Sequence, residues 1–374
     1  MRVTIERSGF LKALNHVQSV VERRNTIPIL SNVLVQASGG MVKLTATDLD
    51  IEIVESVAAD VSREGAATVP AHMLYDIVRK LPDGAQLELE QGPDSGRISI
   101  HAGRSRFALQ ALPPEDFPDL SSGEFGNTFS LATSELKFLI ERTRFAISTE
   151  ETRYYLNGIY LHEVAAGGLL RAVATDGHRL AQAQMSLPAG ATGMPGIIVP
   201  RKTVLEIVKL MEGEDGEVEV SVSSAKIRFN VGKLVLTSKL IDGTFPDYDR
   251  VIPRNNDKIL EADTKSFAEA VDRVSTISFE KSRAVKLNIS SGKLTLTVNN
   301  PDSGSAEEEL AVSYDRDEIE IGFNSRYLLD VAGQIKASNM RFELADSGSP
   351  TVIRDPDDRS SKTPGSGSPP LPPA

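Results

Sequence analysis

The residues best suited to chemistry stand together in ATDGHRL, residues 174–180. Asp176, His178 and Arg179 lie within four positions of one another. A carboxylate there could orient an imidazole for proton transfer, and a guanidinium could hold an anionic group. Such a cluster needs a nucleophile to activate. The chain has no Gly-x-Ser-x-Gly and no cysteine, so neither a serine elbow nor a thiolate is at hand. The same residues read equally well as a turn, because Asp-Gly favours tight reversals. Five histidines are scattered without a His-x-x-x-His pair, and with no thiolate ligand the expectation is no metal centre and no other cofactor.

The elements that must position ATDGHRL repeat three times along the 374 residues. Amphipathic helical patterns open each copy, at 8–24, 133–148 and 264–278. Phe10, Leu11, Leu14, Val17 and Val21 give the spacing in the first copy, and Phe267, Val271 and Val274 in the third. Two alternating strand-like runs follow each helix, around a glycine-containing turn. Thr47-Asp48, Thr175-Asp176 and Asn299-Asn300 hold equivalent places after the second run. A second helical pattern comes next, at 69–82, 199–212 and 323–338, with Val-Pro at the entrance of the first two. Further alternating strands close each unit of about 120 residues. The class is α+β with antiparallel sheets. Domains are expected at 1–122, 127–253 and 258–358, parted by the polar turn-formers SSGEFGN and PRNNDK.

Net charge is −11, which by itself argues against a nucleic-acid partner. The distribution argues otherwise. Counted over 8–24, 71–81, 134–147, 200–211, 264–276 and 324–338, the six helical segments sum to +7, leaving −18 for the rest. If equivalent helices share one surface, that surface attracts a polyanion through its phosphates, without sequence preference. No aromatic stripe of the kind that stacks single-stranded bases is present, so duplex DNA is the better fit. No apolar run approaches the ~20 residues of a membrane span, and MRVTIERSGF lacks a hydrophobic signal region, so a cytoplasmic protein is expected.

Several words are more specific than any of these patterns: NTIPILSNVL (25–34), TATDLDIEI (45–53), RYYLNGIYL (153–161), ATDGHRLA (174–181), IVPRK (198–202), TSKLIDGTFPDYDRVIP (237–253) and EIGFNSRYLLDV (320–331). Through them the chain, from Met1 to about Asp358, resembles the bacterial DNA polymerase III beta subunits, the replicative sliding clamps. The resemblance implies three repeated clamp domains per protomer and a head-to-tail homodimeric ring that encircles double-stranded DNA. It implies a processivity factor without catalysis. Expected partners are the catalytic subunit of the replicative polymerase, a clamp loader, and repair and translesion polymerases.

Carried over residue by residue, the resemblance places a peptide-binding groove at Leu156, Thr175, Gly177, His178, Arg179, Leu180, Pro246, Arg250 and Val251. Leu156, Leu180 and Val251 would take apolar anchors, and Arg179 and Arg250 would meet polar or acidic ends of an extended peptide. DNA would meet Arg24, Tyr154 and Tyr155, with Lys12, Arg201 and Lys202 further along the basic helices. Glu150 departs from the family's expected neutral residue and would weaken contact there. At the ring interface, Phe107 and Leu109 on the edge strand RFALQAL would face Ile277. The end departs as well: residues 359–374 are rich in Ser, Gly and Pro, so the expectation is a disordered tail, a third domain short of one strand, and a groove short of one wall. Two rival readings stay open: an enzyme built on the Asp/His/Arg cluster, and a monomeric, non-encircling DNA-binding scaffold.

Overall fold

A computed structural model describes residues 1–92, 96–120, 122–278, 283–357 and 370–371. All six expected helices form: α1 Arg7–Val17, α2 Ala71–Lys80, α3 Thr133–Glu141, α4 Arg201–Leu210, α5 Thr264–Ser275 and α6 Ser325–Ala332. Each is shorter than its periodic pattern. The first segment leaves α-geometry after Val17 for a 3-10 turn, Gln18–Val20, and Arg23 and Arg24 lie in the loop beyond it. Arg142, Arg144 and Lys336 also fall past helix ends, so the helices proper are less basic than the segments suggested. Three of the starts, those of α1, α5 and α6, are capped by acceptors in the preceding strands. Glu6 accepts from the amides of Ser8 and Gly9, Asp263 from Ser266, and Asn324 from Arg326. Each such cap is typically worth about 1 kcal/mol.

The chain forms two compact units. One comprises Met1–Ser134, Pro188–Pro195 and Lys202–Leu240; the other comprises Glu135–Leu187, Gly196–Arg201 and Ile241–Ala374. The expected segment 127–253 thus contributes to both. In the first unit its strand Leu234–Lys239 pairs antiparallel with Ile51–Ala58, with Leu236 opposite Ile53. That pairing fuses two four-stranded sheets into one of eight strands. A second, five-stranded sheet ends on Ser105–Gln110, which is therefore a free edge. Phe10, Ala13, Leu14 and Val17 bury the inner face of α1, and Leu74 and Val78 that of α2. Full burial of such a side chain contributes about 1.5–3 kcal/mol.

The second unit holds three four-stranded sheets, and every strand pairing in the protein's described residues is antiparallel. In its later part Phe267 of α5 packs edge-on to Phe342, ring centroids 5.2 Å apart, beneath Val285, Leu287 and Phe323. Pro370–Leu371 adds a two-residue strand to Thr351–Arg354. The expectation of a wholly disordered tail is corrected at those two residues by their backbone pairing; the remainder of 358–374 lies outside the described residues.

The three equivalent turns share an Asx hydrogen-bond pattern, to which the first two add a threonine acceptor. Thr47 Oγ1 accepts from Leu49 N, and Asp48 Oδ1 from the amides of Asp50 and Ile51. Thr175 Oγ1 accepts from Gly177 N, and Asp176 Oδ1 from the amides of His178 and Arg179. Asn300 Oδ1 accepts from Asp302 N and Ser303 N. An Asx side chain stands in for a backbone turn in every copy. The first copy places Leu49 at φ 78°, a left-handed conformation costing roughly 1–2 kcal/mol for a residue with a Cβ. The second relieves that strain with Gly177, φ 88°.

Candidate peptide-binding groove and basic surface

The second copy's turn borders an open groove of about 360 Å³. Leu156, Thr175, Gly177, His178, Arg179, Leu180, Pro246 and Val251 line it, as expected, and Arg153, Tyr155, Asp247, Tyr248 and Pro350 line it as well. Pro350 comes from the loop before Thr351–Arg354. The sequence reading did not name Arg153, Asp247, Tyr248 or Pro350 for the groove, and Pro350 stands in none of the quoted words. Tyr248 sits two residues after Pro246 in FPDYDRV, and that proximity was the one signal available.

The groove's residues divide by burial. Leu156 and Leu180 are 4% and 3% exposed and belong to a core cluster with Val173, Ile198, Phe245 and Tyr248. They support the floor more than they offer it. Val251, 56% exposed, is the open apolar anchor point. A Cβ at Gly177 would lie 2.2 Å from Arg153 Nη1, so the Arg153 guanidinium would have to move to admit one. Arg153 is itself held by Glu150, through bonds of 2.8 and 2.6 Å, so the unexpected acid at 150 has a structural partner.

Two expected arginine roles are corrected. Arg179 is buried and fully engaged. Its Nη1 donates to Asp330 Oδ2 of α6 at 2.6 Å, its Nη2 to Phe145 O at 2.6 Å, and its Nε to Asp176 at 3.2 Å. Its guanidinium also lies over the Tyr327 ring, 4.2 Å from the centroid. Each of its three nitrogens already donates inside the fold, so its charge is largely committed there rather than to a peptide's acidic end. Arg250 is exposed, pairs with Asp247 at 2.7 Å, and is not among the residues lining the groove.

Beneath the groove, three adjacent strands place His162, Arg171 and Gln184 in one cross-strand row. Tyr248 OH caps that row, accepting from Arg171 Nη1 at 3.0 Å and meeting His162 Nε2 at 2.8 Å. Burial pulls the His162 imidazole below the usual histidine range and pushes the Tyr248 phenol up.

The expected DNA residues separate likewise. Arg24 is an exposed loop residue, and Tyr154 is exposed. Tyr155 instead turns into the groove, packed on the core cluster around Leu156. Lys12 is exposed but donates to Glu214 at 2.9 Å. Lys202 is held by Asp48 and Glu22; burial pulls its pKa down, and the two carboxylates outweigh that and raise it. Arg201 is exposed in a separate polar cleft of about 390 Å³, near Arg144 and Arg326. At the free edge, Phe107 is half-buried, but Leu109 is 7% exposed, inside the five-stranded sheet. Leu109 pairs with Ile98 and packs into its own core; Phe107, opposite Ile100, lies on the same face of the strand but is less covered there. Ile277 is half-buried against the core of α5.

A thrice-repeated helix–hairpin–helix unit, with an apolar groove beside one copy's turn, defines a DNA clamp. The chain matches the DNA polymerase III beta subunit models along its length: the N-terminal domain over residues 1–121, the central domain over 130–247 and the C-terminal domain over 249–364. It is 58% identical over 360 residues to the beta sliding clamp of Caulobacter vibrioides, covering 96% of this chain and 97% of that one. It is 43% identical to the beta sliding clamp of Escherichia coli K12, covering 95% and 96%. Among solved structures, a sliding clamp from Bartonella birtlesii bound to griselimycin superposes with a TM-score of 0.95 at 54% identity, covering 100% of this chain and 99% of that one. A Caulobacter crescentus clamp with PEG bound to its putative beta-motif tethering region gives 0.95 at 56%, with the same coverage. The chain belongs to the DNA polymerase III beta subunit family, the sliding clamps. Its role is that of a processivity factor on DNA.

Proposed function

We propose that the groove at ATDGHRL is where this clamp receives short linear motifs of its partners: the replicative polymerase's catalytic subunit, a loader, and repair and translesion polymerases. The observation that carries the reading is the groove itself, with exposed Val251, Pro246 and Pro350 and half-buried Tyr155 above a buried Leu156–Leu180 floor. An extended peptide with one or two apolar anchors fits such a surface. The protein performs no catalysis of its own, and the turn's Asp176 and Arg179 serve structure. DNA would contact Arg24, Tyr154 and Arg201 through phosphates, with Lys12 and Lys202 reduced to weaker contributors by their carboxylate partners.

For the ring, the free edge Ser105–Gln110 of one copy would meet a second copy near Ile277, with Phe107 as the apolar contact. Exposed Arg104 and Arg106 stand at that edge, while another sheet edge, Gly304–Ala311, carries Glu307 and Glu309. Opposite charges on two unpaired edges favour their association. The working compartment is the cytoplasm, and the domains are proposed at 1–122, 127–253 and 258–358.

Calorimetric titration of a leucine-anchored peptide into wild type and Val251→Asp tests the groove. Truncation of an anchor site typically costs ~2 kcal/mol or more, about thirtyfold in affinity. Equal affinity for the two proteins would move the docking site elsewhere.

A further inference from the structure

We propose that His162 is a positioning residue of the groove, and that peptide docking requires its neutral form. This rests on the groove being a docking site, as proposed above.

The chemistry of the neighbours fixes the proton positions. A guanidinium only donates, so Tyr248 OH must accept from Arg171 Nη1. The single phenolic hydrogen is then left for His162 Nε2, which must accept it. On the other side of the ring, His162 Nδ1 lies 2.9 Å from Glu163 O, a carbonyl that only accepts. Nδ1 therefore carries the hydrogen and donates it. Donor-only and acceptor-only groups at the two ends select one neutral tautomer.

Protonation breaks this arrangement in two ways. A hydrogen on Nε2 would face the phenolic hydrogen, and Tyr248 would have to turn its O–H away from its present acceptor. A second cation would also appear directly across the strand pair from Arg171, His162 and Arg171 being register partners. Like charges in opposed positions destabilise a sheet. The groups facing His162 are few. Tyr160 stacks on it at 4.6 Å and Glu163 follows it on its own strand; Arg171 and then Gln184 come from the neighbouring strands; Tyr248 and Asp249 come from the 3-10 turn Tyr248–Arg250. Asp249 is the one nearby carboxylate side chain on that turn, but it is largely exposed and 3.6 Å from Arg171, so it screens only weakly.

The consequence reaches the groove because Tyr248 belongs to both places. Its hydroxyl caps the His162–Arg171 row, and its ring lines the groove beside Leu180 and Val251. A docked peptide covers this ring, so a loosened Tyr248 costs affinity.

The test titrates an N-acetylated, histidine-free peptide with two leucine anchors into the full chain from pH 7.5 to pH 5.0. His178 also lines the groove and is controlled by its own variant. The expected result is a progressive, several-fold loss as pH falls across that range in wild type and in His178→Gln, because the free protein takes up a proton on His162 that the docked protein does not; a one-unit pKa difference caps the loss at about tenfold. His162→Gln, whose amide can accept from Tyr248 and donate to Glu163 O, should respond within twofold, and so should Tyr248→Phe. A response that persists in both of these variants, or vanishes in His178→Gln, overturns the proposal. Nitrogen NMR of the free protein reads the Nδ1–H tautomer directly; the opposite tautomer overturns the proposal too. Absence of peptide binding at pH 7.5 would instead sink the groove reading, with the NMR result still deciding whether His162 and Tyr248 are coupled.

Discussion

Arg179→Met isolates what the turn's arginine contributes. The substitution keeps an apolar stem against Phe145 and Tyr327 and removes the charge. Three bonds disappear, to Asp330, Asp176 and Phe145 O. Breaking one side of a well-buried ion pair costs about 3–5 kcal/mol, and hydrogen bonds to charged groups contribute about 1.5–3 kcal/mol each without adding fully. Asp330 is 31% exposed, so water can replace part of what it loses. That favours the low end, about 3 kcal/mol. A chain of several folding units has no single unfolding free energy, so the local opening is the better observable. Hydrogen exchange of amides in α6 and in residues 174–180 should accelerate by about 150-fold where exchange proceeds through that opening. Exchange in α1 and α2, in the other unit, should not change. If α6 and the turn stayed within about threefold of wild type, Arg179 would be an idle charge and the account of the turn would be wrong.

Binding to DNA should fall steeply with salt and show no sequence preference, with Arg24→Ala weakening all sequences alike; a flat salt response, or a variant that changes preference, would contradict phosphate-only contact. Phe107→Asp should shift sedimentation from dimer to a 40.4 kDa monomer with its circular dichroism intact, whereas Leu109→Asp should lower the melting temperature, because it buries a charge inside the five-stranded sheet. Dimers persisting in Phe107→Asp would displace the interface from this edge.

Much of this architecture is written in short-range patterns. The six helices, their acidic or amide caps at Glu6, Asp263 and Asn324, and the hairpins between them follow from periodicity and turn chemistry within a few residues. The threefold repeat of the Thr/Asn–Asx turn was legible for the same reason, since its bonds close between residues two or three apart. Gly177 could be read locally too, as half of an Asp-Gly turn pair, while its closeness to Arg153, 24 residues earlier, could not. What a side chain does at the end of a long-range contact was not legible. Arg179 reads as a surface cation until α6, 151 residues further on, brings Asp330 to it. Lys202 reads as a DNA-facing charge until Asp48, 154 residues earlier, claims it. Leu109 and Leu180 have the types of contact residues, and only the sheets they join make them core. The His162–Arg171–Tyr248 cluster needed a strand register and the return of a distant 3-10 turn before any of its members had a partner. Periodicity and capping are energies of neighbouring residues, so the sequence determines them by itself. Burial and ion pairing depend on which segment arrives next to which, and only the tertiary structure decides that.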